Sequence, residues 1–212
     1  MTSTARKRIV VLISGNGRNL QAIIDACANN SINGDIVGVI SNKADAYGLI
    51  RARQASIPTC IIPHQEFADR ESFDAAIQDQ IDLLDADLVV LAGFMRILTD
   101  DFVRHYLGRM INIHPSLLPK YPGLNTHQRA LDAGDATHGA TVHFVTPELD
   151  AGPTVLQHSL TINTDDTAES LAERVMEEIE LALYPKAVAL FCDNVVTLSD
   201  TAPYRTLNTP ET

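Results

Sequence analysis

Three features of the sequence predict an α/β protein built on an open, mostly parallel, Rossmann-like sheet with an antiparallel pair in its C-terminal half. Short apolar runs alternate with stretches of helical spacing through the first half, the pattern of parallel strands joined by right-handed crossovers. The first apolar run passes directly into a glycine loop, as at the carboxyl edge of such sheets. Two later alternating runs lie only a turn apart, close enough to pair antiparallel. At 212 residues a single domain is expected, burying ~70% of its unfolded surface. Residues 1–198 are read as that domain and 199–212 as a disordered tail.

Ile9 to Ile13 is wholly apolar, rich in β-branched residues and runs into a glycine loop, which fits a central parallel strand. After Ser14-Gly15-Asn16-Gly17-Arg18-Asn19, apolar residues fall at Leu20, Ile23, Ile24 and Cys27, one face of a helix. Strand, glycine loop and helix together make an anion site: glycine lets the backbone approach, and the free amides at a helix start favour a phosphate. The dinucleotide pattern is incomplete. Leu20 stands at the third glycine position, and the second strand, Ile36 to Ile40, ends in Ser41-Asn42-Lys43 with no acidic residue for a ribose diol. A monophosphate therefore suits the loop better than NAD, and a tight turn without ligand is the plainer alternative.

A helix over 46–55, a strand over 59–62, a longer helix over 66–84 and a strand over 88–92 continue the alternation. The loop Gly93-Phe94-Met95-Arg96-Ile97-Leu98 could wall a pocket for a flat aromatic ligand, or its Met and Phe could simply be core. A short helix over 100–106 then leads into Met110-Ile111-Asn112-Ile113-His114-Pro115. Side chains on a strand alternate, so Asn112 and His114 share one face while Ile111 and Ile113 pack on the other, and Pro115 ends the ladder. Beyond a proline-rich loop the spacing predicts a helix over 126–133, strands over 140–145 and 154–161 with Asp150 in their connection, and a long amphipathic helix begun by Asp165-Asp166-Thr167 and interrupted or kinked at Pro185. His143 reads as a packed strand residue. A short edge strand is expected over 194–198.

The 16 basic and 27 acidic residues give a net charge of −11, which argues against a nucleic-acid or anionic-membrane surface. Cys27, Cys60 and Cys192 are odd in number, widely spaced and set among apolar residues, so reduced thiols and a cytoplasmic setting are expected, with no metal spacing. No stretch reaches membrane-spanning length. As chemistry, Asn112 and His114 could donate to an oxygen that becomes negative in a tetrahedral intermediate, with Asp150 favouring the imidazolium of His114. No Gly-x-Ser-x-Gly elbow or base-paired cysteine offers a nucleophile, so the attacking group would come from a substrate.

Four stretches, Ile13-Ser14-Gly15-Asn16-Gly17-Arg18-Asn19-Leu20-Gln21, Leu91 to Leu98, Asn112-Ile113-His114-Pro115-Ser116-Leu117-Leu118-Pro119 and Glu148 to Pro153, resemble in register the phosphoribosylglycinamide formyltransferase family, folate-dependent enzymes of purine biosynthesis. The resemblance implies the formyltransferase fold, with 8–108 as a phosphate-binding half and 109–198 as a catalytic half. It implies Asn112, His114 and Asp150 as the catalytic trio, and Gly17, Arg18 and Asn19 with Glu180 as the ribonucleotide site. Arg70, Met95, Arg96, Ile97, Leu98, Asn112 and the loop Thr146, Pro147, Glu148, Leu149, Asp150 would meet the folate. The partners implied are the small molecules 10-formyltetrahydrofolate, a co-substrate, and glycinamide ribonucleotide; no metal is implied, and a homo-oligomer is left open. The chain departs from the family at Leu181, where His is usual, at Asn125, often His, and at Thr141, commonly Ser, and the helix before Glu180 is one residue longer.

Two related enzymes share the Asn-x-His strand. A transfer-RNA formyltransferase is expected to carry a further basic domain, and a formyl-folate hydrolase a further regulatory domain, and neither is read here. A non-catalytic nucleotide-binding module would keep the glycine loop but has no use for Asn112, His114 and Asp150 together.

Overall fold

A computed structural model describes residues 5–198. One seven-stranded sheet runs in the order β3-β2-β1-β4-β5-β6-β7. β1 (Lys7–Ile13), β2 (Gly34–Ser41), β3 (Thr59–Ile61), β4 (Leu88–Leu91) and β5 (Met110–His114) are parallel; β6 (Thr137–Phe144) and β7 (Thr154–Thr161) add on as antiparallel strands. The parallel majority and the antiparallel β6–β7 pair are as the sequence predicts. The antiparallel contact of β5 with β6 extends that pattern.

β1 lies at the centre, and Ile9 through Ile13 are fully buried. Its alternation feeds two cores. Ile9, Val11 and Ile13 join the helices α1 (Arg18–Ala28), α2 (Tyr47–Gln54), α6 (Ala168–Val175) and α7 (Leu181–Cys192), with Leu131 of α5 (Thr126–Asp132) packed against the same core. Val10 and Leu12 face the other way, against Phe73, Ile77 and Ile81 of α3 (Arg70–Leu83) and Phe102 and Val103 of α4 (Asp100–His105). A strand covered on both faces needs apolar residues at every position, which is why it reads as a continuous run. The order reverses at β1–β4, so the crossovers diverge and leave a crevice beyond the strand ends.

Three details differ from the sequence prediction. The helix expected from 66 starts at Arg70, because Asp69 accepts from the Ser72 amide as its cap and a separate 3-10 turn occupies His64–Glu66. The long C-terminal helix runs through Pro185; its irregularity lies earlier, in a π-turn over Met176–Glu180 that joins α6 to α7. A π-turn takes up one additional residue without stopping the helix. No strand forms over 194–198. Asn194 adopts a left-handed conformation, the amides of Val195 and Val196 close back on the Leu190 carbonyl, and Val196 and Leu198 pack on the core. Apolar residues that read as a strand here finish a helix. The tail predicted over 199–212 lies outside the described residues.

Candidate active site

The glycine loop is built by close backbone approach. Gly17 has φ +74, and a Cβ there would sit 2.7 Å from Gly48 Cα, so this position admits glycine alone in practice. The Gly48 amide donates to the Gly15 carbonyl at 3.0 Å. Arg51 donates to the Asn16 carbonyl and to Asn16 Oδ1, both at 2.9 Å. The first turn of α1 has no acidic residue and no side-chain cap, which leaves its opening amides available to an anion.

The structure brings Asn19 and Glu180 together: Asn19 Nδ2 donates to Glu180 Oε2 at 2.7 Å, and both residues are buried. Burial pushes the Glu180 carboxyl up, against the opposing pull of the Asn19 hydrogen bond and the charge of Arg18. The Arg18 guanidinium turns elsewhere, reaching Glu173 at 2.7 Å and Glu177 at 3.2 Å. Its charge is already paired.

Across the crevice, the loop after β4 leaves Met95 67% and Ile97 65% exposed, and Arg96 is exposed as well. The Met95 amide donates to Ser14 Oγ at 2.8 Å, and Ser14 donates to Asn42 Oδ1 at 2.6 Å. Phe94 and Leu98 turn inward against the second core. Arg70 is exposed at the first position of α3. Thr146, Pro147, Glu148, Leu149 and Asp150 form the loop after β6; its Leu149 is 55% exposed.

Asn112, His114 and Asp150 meet in one buried corner. His114 Nδ1 lies 3.4 Å from Asp150 Oδ2, and the same oxygen accepts from the Gly123 amide at 2.8 Å. Asp150 takes a left-handed φ of +52, and Gly152 beyond it packs so closely that a Cβ would collide with the Phe144 carbonyl. This turn delivers the carboxylate to the strand end. His114 Nε2 is 2.8 Å from the Tyr121 carbonyl, which Tyr121 presents from a left-handed φ of +57. Thr141 holds the intervening loop: its hydroxyl donates to Ser116 O at 2.7 Å and accepts from Leu118 N at 3.1 Å and Gln157 Nε2 at 2.8 Å.

His143 is the packed strand residue the sequence suggests, buried with partners at both ring nitrogens, and it lies beside this corner. It is paired with Asn112 across β5–β6, its Nε2 is 3.4 Å from Asn112 Nδ2, and its Nδ1 is 2.9 Å from the Phe144 carbonyl. Burial pushes its pKa down, outweighing the Phe144 bond and the Asp150 charge. The neutral ring carrying its proton on Nδ1 satisfies both contacts, with Nε2 accepting from the Asn112 amide. That bond orients Asn112, and its other amide hydrogen has no hydrogen-bond partner among the described residues. It is the β5–β6 pairing, seen only in the fold, that puts Thr141 and His143 on the face of Asn112 and His114.

The arrangement offers two hydrogen-bond donors beside a carboxylate, next to a helix-start anion site and a partly apolar loop. It suits attack by one bound substrate on the carbonyl group of another. Comparison with known proteins agrees. Residues 7–188 match the family model described as formyl transferase. The chain is 53% identical over 196 residues to the phosphoribosylglycinamide formyltransferase of Escherichia coli, covering 92% of each. Among solved structures, the phosphoribosylglycinamide formyltransferase of Coxiella burnetii is 55% identical with a TM-score of 0.86, covering 92% of this chain and 90% of that one. The glycinamide ribonucleotide transformylase 1 of Symbiobacterium toebii is 40% identical with a TM-score of 0.91, covering 95% and 94%. On this likeness of sequence and fold together, the chain belongs to the formyl transferase family.

Proposed function

We propose that the chain transfers the formyl group of 10-formyltetrahydrofolate to the amine of 5'-phosphoribosylglycinamide, a step of purine biosynthesis, in the cytoplasm. The observation that carries this reading is the meeting of Asn112, His114 and Asp150 in one corner beside both the glycine loop and the Met95–Leu98 loop. Near-complete coverage of single-activity relatives supports it.

In this reading the backbone at Gly17, Arg18 and Asn19 takes the ribose phosphate, and Glu180, held by Asn19, receives the glycinamide group. The residues fit a folate: Met95, Ile97 and Leu149 present apolar surface to a flat ring system, loop backbone groups meet its polar edge, and Arg70 offers a cation to its acidic tail. Residues 8–108 then serve the ribonucleotide and the wall of the folate pocket, and 109–198 the chemistry.

The glycinamide amine attacks the formyl carbon. Asn112 donates its other amide hydrogen to the formyl oxygen as negative charge gathers there. His114 donates from Nε2, the formyl oxygen replacing the Tyr121 carbonyl as that nitrogen's partner. Asp150 faces Nδ1 at 3.4 Å and holds the ring with Nε2 toward the formyl oxygen, its negative charge compensating the positive character the ring takes on as it stabilises the oxyanion. The intermediate collapses as the bond from the formyl carbon to the folate nitrogen breaks, the proton released by the attacking amine passes to that departing nitrogen, and the new amide carries the formyl group.

The test is formyl transfer by purified protein, followed by folate absorbance with and without glycinamide ribonucleotide. Turnover that requires the ribonucleotide and disappears in His114→Ala is expected. Folate consumption without the ribonucleotide would replace this reading with a hydrolase.

A further inference from the structure

The Met95–Leu98 loop is pinned at both ends by buried side chains. At one end the Met95 amide donates to Ser14 Oγ; at the other the Thr99 amide donates to Asp74 Oδ2 at 2.6 Å. Asp74 is 2% exposed. Its Oδ1 is buried with no partner among the described residues. A carboxylate that gives up its hydration for one amide is costly, and burial accordingly pushes its pKa up. The cost falls at a particular place. Asp74 lies on α3, one turn beyond Arg70, whose charge it feels, and it reaches across to the residue that ends the loop.

We propose that Asp74 is a positioning residue for folate recognition: by clamping the Thr99 amide to α3 it fixes the span between Arg70 and the Met95–Leu98 loop, the two elements that meet opposite parts of the folate. This inference rests on the proposed function, because it takes both elements to be folate-facing. Three residues lie between the two pinned amides, so Arg96, Ile97 and Leu98 present their backbone amides from a held frame. Without the Asp74 clamp the loop keeps its Ser14 anchor and the packing of Phe94 and Leu98, and the rest of its ordering must be supplied by the ligand on binding.

The experiment measures kcat and both KM values in Asp74→Ala, Thr99→Pro and their double variant. Thr99 has φ −70 and ψ 156, a conformation proline adopts, so Thr99→Pro removes the amide donor while Asp74 stays in place; Thr99→Ala, which keeps the amide and loses only the hydroxyl that caps α4, is the control and is expected to leave the folate KM within about twofold. Each clamp variant is expected to raise KM for the formyl-folate about tenfold, the scale of one charge-assisted hydrogen bond, with kcat and KM for the ribonucleotide within about twofold. The double variant is expected to be no worse than either single one, since both remove the same bond. Should Asp74→Ala fail to fold, Thr99→Pro decides alone. Ile97→Ala, assayed in parallel, separates the two levels of the argument. If it raises folate KM while the clamp variants leave it unchanged, or raise both KM values equally, the role of Asp74 is overturned and the folate-facing loop stands. If it leaves folate KM unchanged, the loop does not face the folate and the inference falls with that reading.

Discussion

The glycine loop and the catalytic corner are made in different ways, although both sit at the carboxyl edge of the same sheet. The loop is backbone packed on backbone: Gly17 against Gly48, the Gly48 amide on the Gly15 carbonyl, and Arg51 fastening Asn16. Its parts come from residues 15–51. The corner is side chain meeting side chain across the chain, with Asn112 and His114 on one strand, His143 on its antiparallel neighbour and Asp150 in the loop beyond. Three residues in the loops around it, Tyr121, Asn125 and Asp150, adopt left-handed conformations without being glycine. A binding cradle can be specified locally by where glycine is allowed, whereas a reacting constellation depends on register, burial and strained turns cooperating over distance.

The largest effect should come from breaking the corner at its charge. Asp150→Asn keeps an acceptor for the Gly123 amide and nearly the same shape, but removes the negative charge that faces His114 Nδ1 at 3.4 Å. A fall in kcat of about 10²–10³-fold is expected, equivalent to ~3–4 kcal/mol of transition-state stabilisation, with the unfolding midpoint little changed. A variant retaining most of its turnover would remove Asp150 from the mechanism. Breaking the loop should give the opposite signature. Gly17→Ala places a methyl group 2.7 Å from Gly48 Cα at a φ of +74, so a loss of about 2 kcal/mol in stability is expected from strain and displacement, together with weaker ribonucleotide binding. Denaturant titration and ribonucleotide KM check it; unchanged stability would mean that the glycine contact is not a constraint.

These contrasts also explain what was legible in the sequence. Ile9–Ile13 and the Leu20, Ile23, Ile24 spacing gave strand and helix unambiguously, because burial on two faces and on one face leave different periods. Asn112 and His114 could be put on one face by period two alone. His143 could not: its place beside them depends on β6 lying beside β5, a pairing with no local signature. Nor could Tyr121, whose part is a backbone carbonyl that any residue would possess. The strand expected over 194–198 failed for a related reason. Short β-branched runs serve equally well to finish a helix against a core, and tertiary packing decides between them.

Acid should separate the two regions next. Burial holds His127 down to about 4 and also lowers His138, its partner at 3.2 Å, and His143. A histidine whose folded pKa is depressed is neutral in both states above its unfolded value. Below that value the unfolded chain binds protons that the fold refuses, so stability falls with pH from about 6.5 toward 4. Glu180 works in the opposite sense: its raised carboxyl contributes stability that is present below its unfolded pKa and lost as pH rises through the folded one. For His127, partly open to solvent, a loss of about 1–2 kcal/mol across the window is expected after allowing for screening. His127→Gln should flatten that slope, and hydrogen exchange should show loop 115–125 opening in acid before the start of α1. Equal acid sensitivity of both regions would erase the distinction.

The smallest expected effect is the one that defines the loop most sharply. A cation beside a phosphate site invites the view that Arg18 binds the phosphate by charge, but its guanidinium is held by two carboxylates, Glu173 on α6 and Glu177 in the π-turn that follows it. Those acids pull the side chain away from the loop and cancel its charge, while the Arg18 amide remains part of the helix start. If the loop works through its backbone, Arg18→Ala should change ribonucleotide KM by less than about threefold and stability by under ~1 kcal/mol, the usual worth of a partly exposed ion pair. Its effect should also shrink in moderate salt, since a screened pair has little left to lose. A tenfold or greater loss of affinity, confined to ligands that carry the phosphate, would instead mean that the ligand draws Arg18 off its carboxylates on binding. The loop would then share the side-chain dependence of the catalytic corner.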